Sequence, residues 1–186
     1  FDVGKNDIAE GDIVLMQMGH NEKSAAEYTA GLDYYYNAAK TAGAKFVLCS
    51  PIERLTLGQT ELPWRKDDVD TIYTPAAKEY AESKNIPYID LNKLTTALNT
   101  ELGLIKAWYL HTAYWQQSAS EPTAFNDATH MNDYGADNTC HMLMEEFKLI
   151  SEANGYVKNT LSAAMMPSEK IMMNNGDDYV MPPYKG

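Results

Sequence analysis

Two short stretches of this chain combine residue types and spacings that suit acid–base and oxyanion chemistry. The first is Gly19-His20-Asn21-Glu22, directly after the apolar run Ile13-Val14-Leu15-Met16. An asparagine in such a loop can donate its side-chain N–H to a developing oxyanion. The second is Asp127-Ala128-Thr129-His130. A carboxylate three residues before an imidazole, across a turn, can accept from Nδ1–H, fix the tautomer and leave Nε2 as a general base. Taken singly, each has a plainer reading. The Asn can satisfy backbone groups of a polar loop, and the Asp and His can be loop residues with no shared task.

The elements that must position these residues alternate as in an α/β protein with a parallel sheet. Ile13–Met16, bounded by Gly11-Asp12, predicts a buried strand. Ser24 and Glu27 have the spacing of a capping box and predict a helix carrying Tyr28, Leu32, Tyr35, Tyr36 and Ala39 on one face, stopped at Gly43. Phe46-Val47-Leu48-Cys49 predicts a second strand, ending at Ser50-Pro51. A polar, irregular surface loop follows from Ile52 to Asp70. A helix starting near Thr74-Pro75 fades around Asn85, and Ile86-Pro87-Tyr88-Ile89 predicts a third strand. Asp90 caps a helix with Leu91, Leu94, Leu98 and Leu102, with Gly103 as its stop. Trp108 to Asn126 has no period and predicts a long loop, an uncommon and often functional feature. A last helix spans about Asp133 to Asn154, with Ala136, Cys140, Leu143, Met144, Phe147 and Ile150 on one face and Gly155 closing it. In an open α/β sheet, ligands bind beyond the carboxyl ends of the strands, and that is where both chemical stretches fall.

Composition narrows the class. With 186 residues, 45% hydrophobic and 22% charged, the chain is of globular composition and holds about one domain. We divide it into residues 1–155, the α/β portion, and 156–186, a tail that wraps the domain or leads to another. Lys and Arg total 15 against 26 Asp and Glu, a net charge of -11. Such a surface repels phosphate backbones and anionic lipid, which argues against nucleic-acid or membrane partners. No apolar run approaches the roughly 20 residues of a membrane span. Cys49 and Cys140 form neither a disulfide framework nor a metal-binding pair at CxxC spacing.

Together, the two stretches resemble the SGNH (GDSL-type) hydrolases, most closely the rhamnogalacturonan acetylesterase-like branch. Gly19-His20-Asn21-Glu22 is similar to that family's third block, with Glu22 where the family usually has Asp. Asp127-Ala128-Thr129-His130, continued by Met131-Asn132-Asp133-Tyr134-Gly135-Ala136, is similar to its fifth. The resemblance runs over about residues 8 to 154. It implies a three-layer α/β/α sandwich with a flavodoxin-like parallel sheet, and a carboxylic-ester hydrolase that needs no cofactor and no metal. Asn21 would be an oxyanion donor, His130 the base that activates a serine, and Asp127 the acid that orients it. His20 would hold the loop's shape. The expected substrate is an O-acetyl group on a cell-wall polysaccharide, rhamnogalacturonan or pectin-like, and the expected location is secreted or extracytoplasmic. A metal site from His20, Glu22, Asp127 and His130 is chemically feasible, but it leaves Asn21 without a role.

The family's Gly-Asp-Ser block, which carries the nucleophile, precedes the third block, and this chain begins about where that block should have ended. Gly176-Asp177-Asp178 has no serine; Ser24 reads as a cap and Ser50 as a strand end. The chain is therefore expected to be the C-terminal part of the hydrolase domain, with strands three to five of an order 2-1-3-4-5. An N-terminal segment of the same protein would supply the serine and complete the sheet beside the Ile13–Met16 strand, whose bare edge would otherwise invite another chain. Arg54 and Trp115 are candidates for binding the sugar. The plainer reading of Arg54 is an ordinary loop charge. Trp108, Tyr109, Tyr114 and Trp115 can form a carbohydrate-stacking wall or, equally, cover a small core of the long loop. His111 and His141 have no acidic or Cys partner at ligand spacing. Two alternatives stay open: a non-catalytic carbohydrate-binding relative, and an SGNH esterase for another acyl substrate.

Overall fold

A computed structural model describes residues 7–55, 67–108, 110–112 and 129–155. Three parallel strands lie in the order β1 (Ile13–Gln17), β2 (Lys45–Cys49), β3 (Tyr88–Ile89). In the register, Val14 lies opposite Phe46 and Met16 opposite Leu48; Leu48 lies opposite Tyr88. Each crossover is a helix, as parallel pairing requires.

β2 shows why the layers form. Its side chains alternate, and both sets are apolar. Phe46 and Leu48 enter one core with Tyr28, Leu32 and Ala39 of α1 (Ala25–Ala42) and Ala77, Tyr80 and Ala81 of α2 (Thr74–Lys84). Val47 and Cys49 enter another with Ile89, Leu91 of α3 (Leu91–Trp108) and Phe147 of α4 (Asp133–Asn154). Apolar burial on both faces marks a central strand. The result is a three-layer α/β/α arrangement of flavodoxin-like kind. Among the described residues no helix is long and apolar enough to cross a membrane.

The helix ends follow local chemistry. Ser24 Oγ accepts from the Glu27 N–H at 3.2 Å, and Glu27 Oε2 accepts from the Lys23 N–H at 2.8 Å, one residue before the usual capping-box partner. Gly43 ends α1 with φ 78°. Asp90 Oδ1 accepts from the Lys93 N–H at 3.0 Å at the start of α3.

Several boundaries differ from expectation. β3 keeps only Tyr88–Ile89, because Pro87 has no N–H to give a ladder. A π-helical turn, Val69–Tyr73, precedes α2, so helical backbone begins inside the predicted surface loop; Val69 and Tyr73 are buried there. Gly103 ends the first helical stretch of α3, as expected, at φ 74°, ψ 164°, a break that glycine tolerates; a second stretch, not expected, follows it to Trp108. On α4, Ala136 and Cys140 are exposed, while Phe147 carries the apolar face into the core. The tail, residues 156–186, lies outside the described residues.

Candidate functional site

The turn that carries Asn21 is built on a glycine that nothing larger can replace. Gly19 is buried at φ +119°, and a Cβ there would lie 2.8 Å from Pro51 Cγ and 3.2 Å from both Tyr28 and Tyr73. The loop after β1 is thus pressed against the loop after β2. Asn21 itself is exposed; its backbone N–H donates to Glu22 Oε2 at 3.1 Å. The Tyr73 hydroxyl donates to the Glu22 carbonyl and ties the turn to the π-helical segment. His20 is half-buried. Burial above all, with the Arg54 guanidinium second, lowers its pKa, so its ring stays neutral at neutral pH. A groove of about 810 Å³ runs along this turn and the outer edge of β1, lined by residues including Met16, Met18, Asn21, Tyr34 and Tyr35.

Behind the turn, α3 anchors two loops through polar side chains. The Asn92 N–H donates to Ser50 Oγ at 2.8 Å, and Asn92 Nδ2 donates to Asp70 Oδ1 at 3.0 Å. The Glu53 N–H donates to Thr95 Oγ1 at 2.9 Å, and Asn99 Nδ2 donates to Glu53 Oε2 at 2.8 Å. Arg54 pairs with Asp67, with Nη2 at 2.6 Å and Nε at 2.8 Å from the same oxygen. Its guanidinium, a candidate for sugar binding, is therefore engaged in tying the two loops together.

His130 sits on the turn that opens α4. Its carbonyl accepts from the Thr112 N–H at 2.9 Å and from Thr112 Oγ1 at 3.2 Å. His111 and Met131 form an antiparallel bridge, and the Asn132 N–H donates to the Leu110 carbonyl at 3.0 Å. Asn132 Oδ1 caps the helix by accepting from the Tyr134 and Gly135 N–H groups at 3.0 and 3.1 Å. The turn connects to the sheet's carboxyl end by packing: Leu55, past β2, clusters with Leu104, Ala107 and Trp108 at the end of α3, immediately before residues 110–112.

Of the residues singled out in the sequence, Asn21, His20, Glu22, Arg54 and His130 are thus placed on loops; His20 and Arg54 are brought together, and His130 stands on its own anchored turn. Asp127, Trp115, Tyr109 and Tyr114 lie outside the described residues. Trp108 packs with Leu55 and Ala107, in keeping with the core-covering reading. Buried His111 places Nδ1 at 3.0 Å from the Ala107 carbonyl oxygen. His141 does have an acidic neighbour, Asp137 at 3.7 Å one helical turn earlier, which the sequence reading overlooked. Among the described residues no three His, Cys, Asp or Glu side chains are grouped to hold a metal.

Sequence reasoning missed Glu53, Thr95 and Asn99. The signal was present in part: Thr95 and Asn99 follow Leu91 at spacings of four and share its buried face. Glu53 is 3% exposed. Burial first pushes its pKa up to about 7; the Asn99 hydrogen bond opposes this, and Asp70 adds to it. The folded state therefore holds this proton more tightly than the unfolded chain does. The contribution of Glu53 to folding stability is greatest below the unfolded pKa, falls as pH rises from about 4.5 to about 7, and levels off above. The slope contributed is at most roughly 1.4 kcal/mol per pH unit. Urea denaturation across pH 4.5–8 should show Glu53→Gln flattening that decline; an unaltered pH dependence would mean that Glu53 is not its source.

No protein-family model matches the chain, and no curated protein does. What it shares with a solved structure is a class of fold, the parallel α/β sheet flanked by helices. That structure is protein YxiM from Bacillus subtilis, at 23% identity and TM-score 0.58, covering 78% of this chain. The chain spans 39% of the YxiM chain.

Proposed function

We propose that the intact protein is a serine esterase of the SGNH (GDSL-type) class that removes O-acetyl groups from a cell-wall polysaccharide of the rhamnogalacturonan or pectin type. The observation that carries this reading is the placement of the two motifs. Asn21 stands exposed on the turn leaving a parallel strand, and His130 stands on a separately anchored turn opening the last helix. The parallel α/β fold shared with YxiM supports it.

In this reading a serine, carried by a Gly-Asp-Ser segment outside the present sequence, attacks the acetyl carbonyl while His130 takes its proton. Asn21 donates to the oxyanion, and such a donor is worth roughly 3 kcal/mol of barrier. The proton passes to the departing sugar hydroxyl, and water then cleaves the acetyl-enzyme by the same route. Asp127 orients His130. Arg54, held by Asp67, acts chiefly on loop shape, and Trp115 remains the candidate for stacking on sugar. The segment with the serine also supplies a strand beside β1, which among the described residues pairs only with β2 and leaves Leu15 37% exposed. The protein acts outside the cytoplasm on a polymeric substrate and uses no cofactor.

The test is labelling of the intact protein with a fluorophosphonate serine probe, read by intact mass and peptide mapping. One equivalent of label on a Gly-Asp-Ser peptide is expected, blocked by prior incubation with acetylated pectin. No label on any serine would remove the esterase reading and leave carbohydrate binding without catalysis in its place.

A further inference from the structure

Glu53 is out of place if the loop after β2 only needs filling. An apolar side chain would fill the same space without the cost of burying a carboxyl group. Instead the carboxyl is buried against Asn99, and the Glu53 backbone is fixed by Thr95; both α3 residues are 1% exposed. The residues on either side of Glu53 reach the Asn21 turn. Pro51 packs on Gly19, the Ile52 backbone hydrogen-bonds His20, and Arg54 acts on His20 by charge. Moving Glu53 therefore moves the wall on which Gly19 and His20 rest.

We propose that Glu53 is a positioning residue that joins the loop after β2 to α3 and so sets the Gly19–Glu22 turn, and with it Asn21, in a protonation-dependent way. The inference deepens the esterase reading, since it rests on the oxyanion role given there to Asn21. The charges around Glu53 give the direction. Asp67 faces it from the segment before the π-helical turn and Asp70 from within that turn, Arg54 lies beside it on its own loop but is paired with Asp67, and α3 presents the neutral Asn99, Thr95 and Thr96. His20 and Glu22 lie on the turn beyond. Neutral Glu53 fits this setting. An ionised Glu53 repels Asp67 and Asp70 and competes for Arg54, loosening the loops that hold the turn.

The experiment follows the amide resonances of Gly19–Glu22 in the intact protein from pH 5 to 8.5. A transition with a midpoint near 7 is expected in the wild type, absent in Glu53→Gln and retained in His20→Gln. A transition kept in Glu53→Gln but lost in His20→Gln, or no transition in the wild type, overturns the proposal. With an acetyl ester as substrate, Glu53→Ala should lower kcat by about tenfold with KM within about twofold, and Glu53→Gln should restore kcat to within about threefold. Unchanged kcat in Glu53→Ala also overturns it. If Glu53→Ala does not fold, the Glu53→Gln spectra decide. If the wild type hydrolyses no ester, the esterase reading fails while the spectra still decide the role of Glu53.

Discussion

Hydrolysis of an acetyl ester by the intact protein should fall by roughly 10³-fold or more when His130 is replaced by Ala, because a general base that works on both acylation and deacylation is lost. Asn21→Ala should cost about 10²–10³ in kcat, the usual loss for one oxyanion donor, with little change in KM. The donor meets charge that exists only in the transition state, so substrate affinity does not report it. Both side chains belong to exposed residues. Exposed substitutions away from packing move stability by only about 0.5 kcal/mol, so the two variants should unfold with the wild type and the losses can be read as chemistry. The double variant should be slower still than His130→Ala alone, since the residual reaction without the base still passes through the oxyanion that Asn21 stabilises. Steady-state kinetics with matched thermal melts tests this. Activity of His130→Ala within tenfold of wild type would remove the general-base role, and binding of the polysaccharide without turnover would then favour the carbohydrate-binding alternative.

What the sequence made legible, and what it did not, divides along physical lines. The layers were readable because β2 is apolar on both faces and the caps at Ser24, Gly43 and Asp90 use local chemistry. The Asn21 and His130 stretches stood out only together, through their combined resemblance to two family blocks. Their support was not legible. Glu53, Thr95 and Asn99 are residues expected at the surface, and what buries them is an arrangement of loops and a helix that no local pattern encodes. Gly103 was readable as a stop, since glycine after an apolar helical stripe ends the first stretch of α3 at positive φ; the second stretch, which carries Ala107 and Trp108 to Leu55, was not, because it has no period of its own. The pairing of Asp127 with His130 rests on the resemblance, since Asp127 lies outside the described residues.

Gly135→Ala should be the most destabilising glycine-to-alanine change among the described residues, although helix propensity predicts the reverse. Gly135 is inside α4 with helical backbone, where alanine ordinarily gains about 1 kcal/mol. Its Cβ, however, would lie 2.1 Å from the Leu110 carbonyl oxygen and 2.9 Å from Met131 Cβ. The obstacle is backbone, and it is the same carbonyl that accepts from the Asn132 N–H. Relief requires α4 to withdraw from residues 110–112, which breaks that bond and the cap that Asn132 provides to Gly135. The expected loss is roughly 3 kcal/mol, or a melting temperature lower by about 6–12 °C for a domain of this size. Gly31→Ala is the control. It is also a glycine inside a helix, and its Cβ would lie 2.8 Å from Met18 Cε, the free end of a flexible side chain that can swing aside. That variant should melt at or slightly above wild type. Because the His130 carbonyl is held in the same bridge, Gly135→Ala should also lower activity in the folded fraction, at a temperature well below its melt, while Gly31→Ala should not. Equal melts for the two variants would show that α4 does not rest on Leu110 as closely as described, and the anchoring of His130 would have to be sought elsewhere.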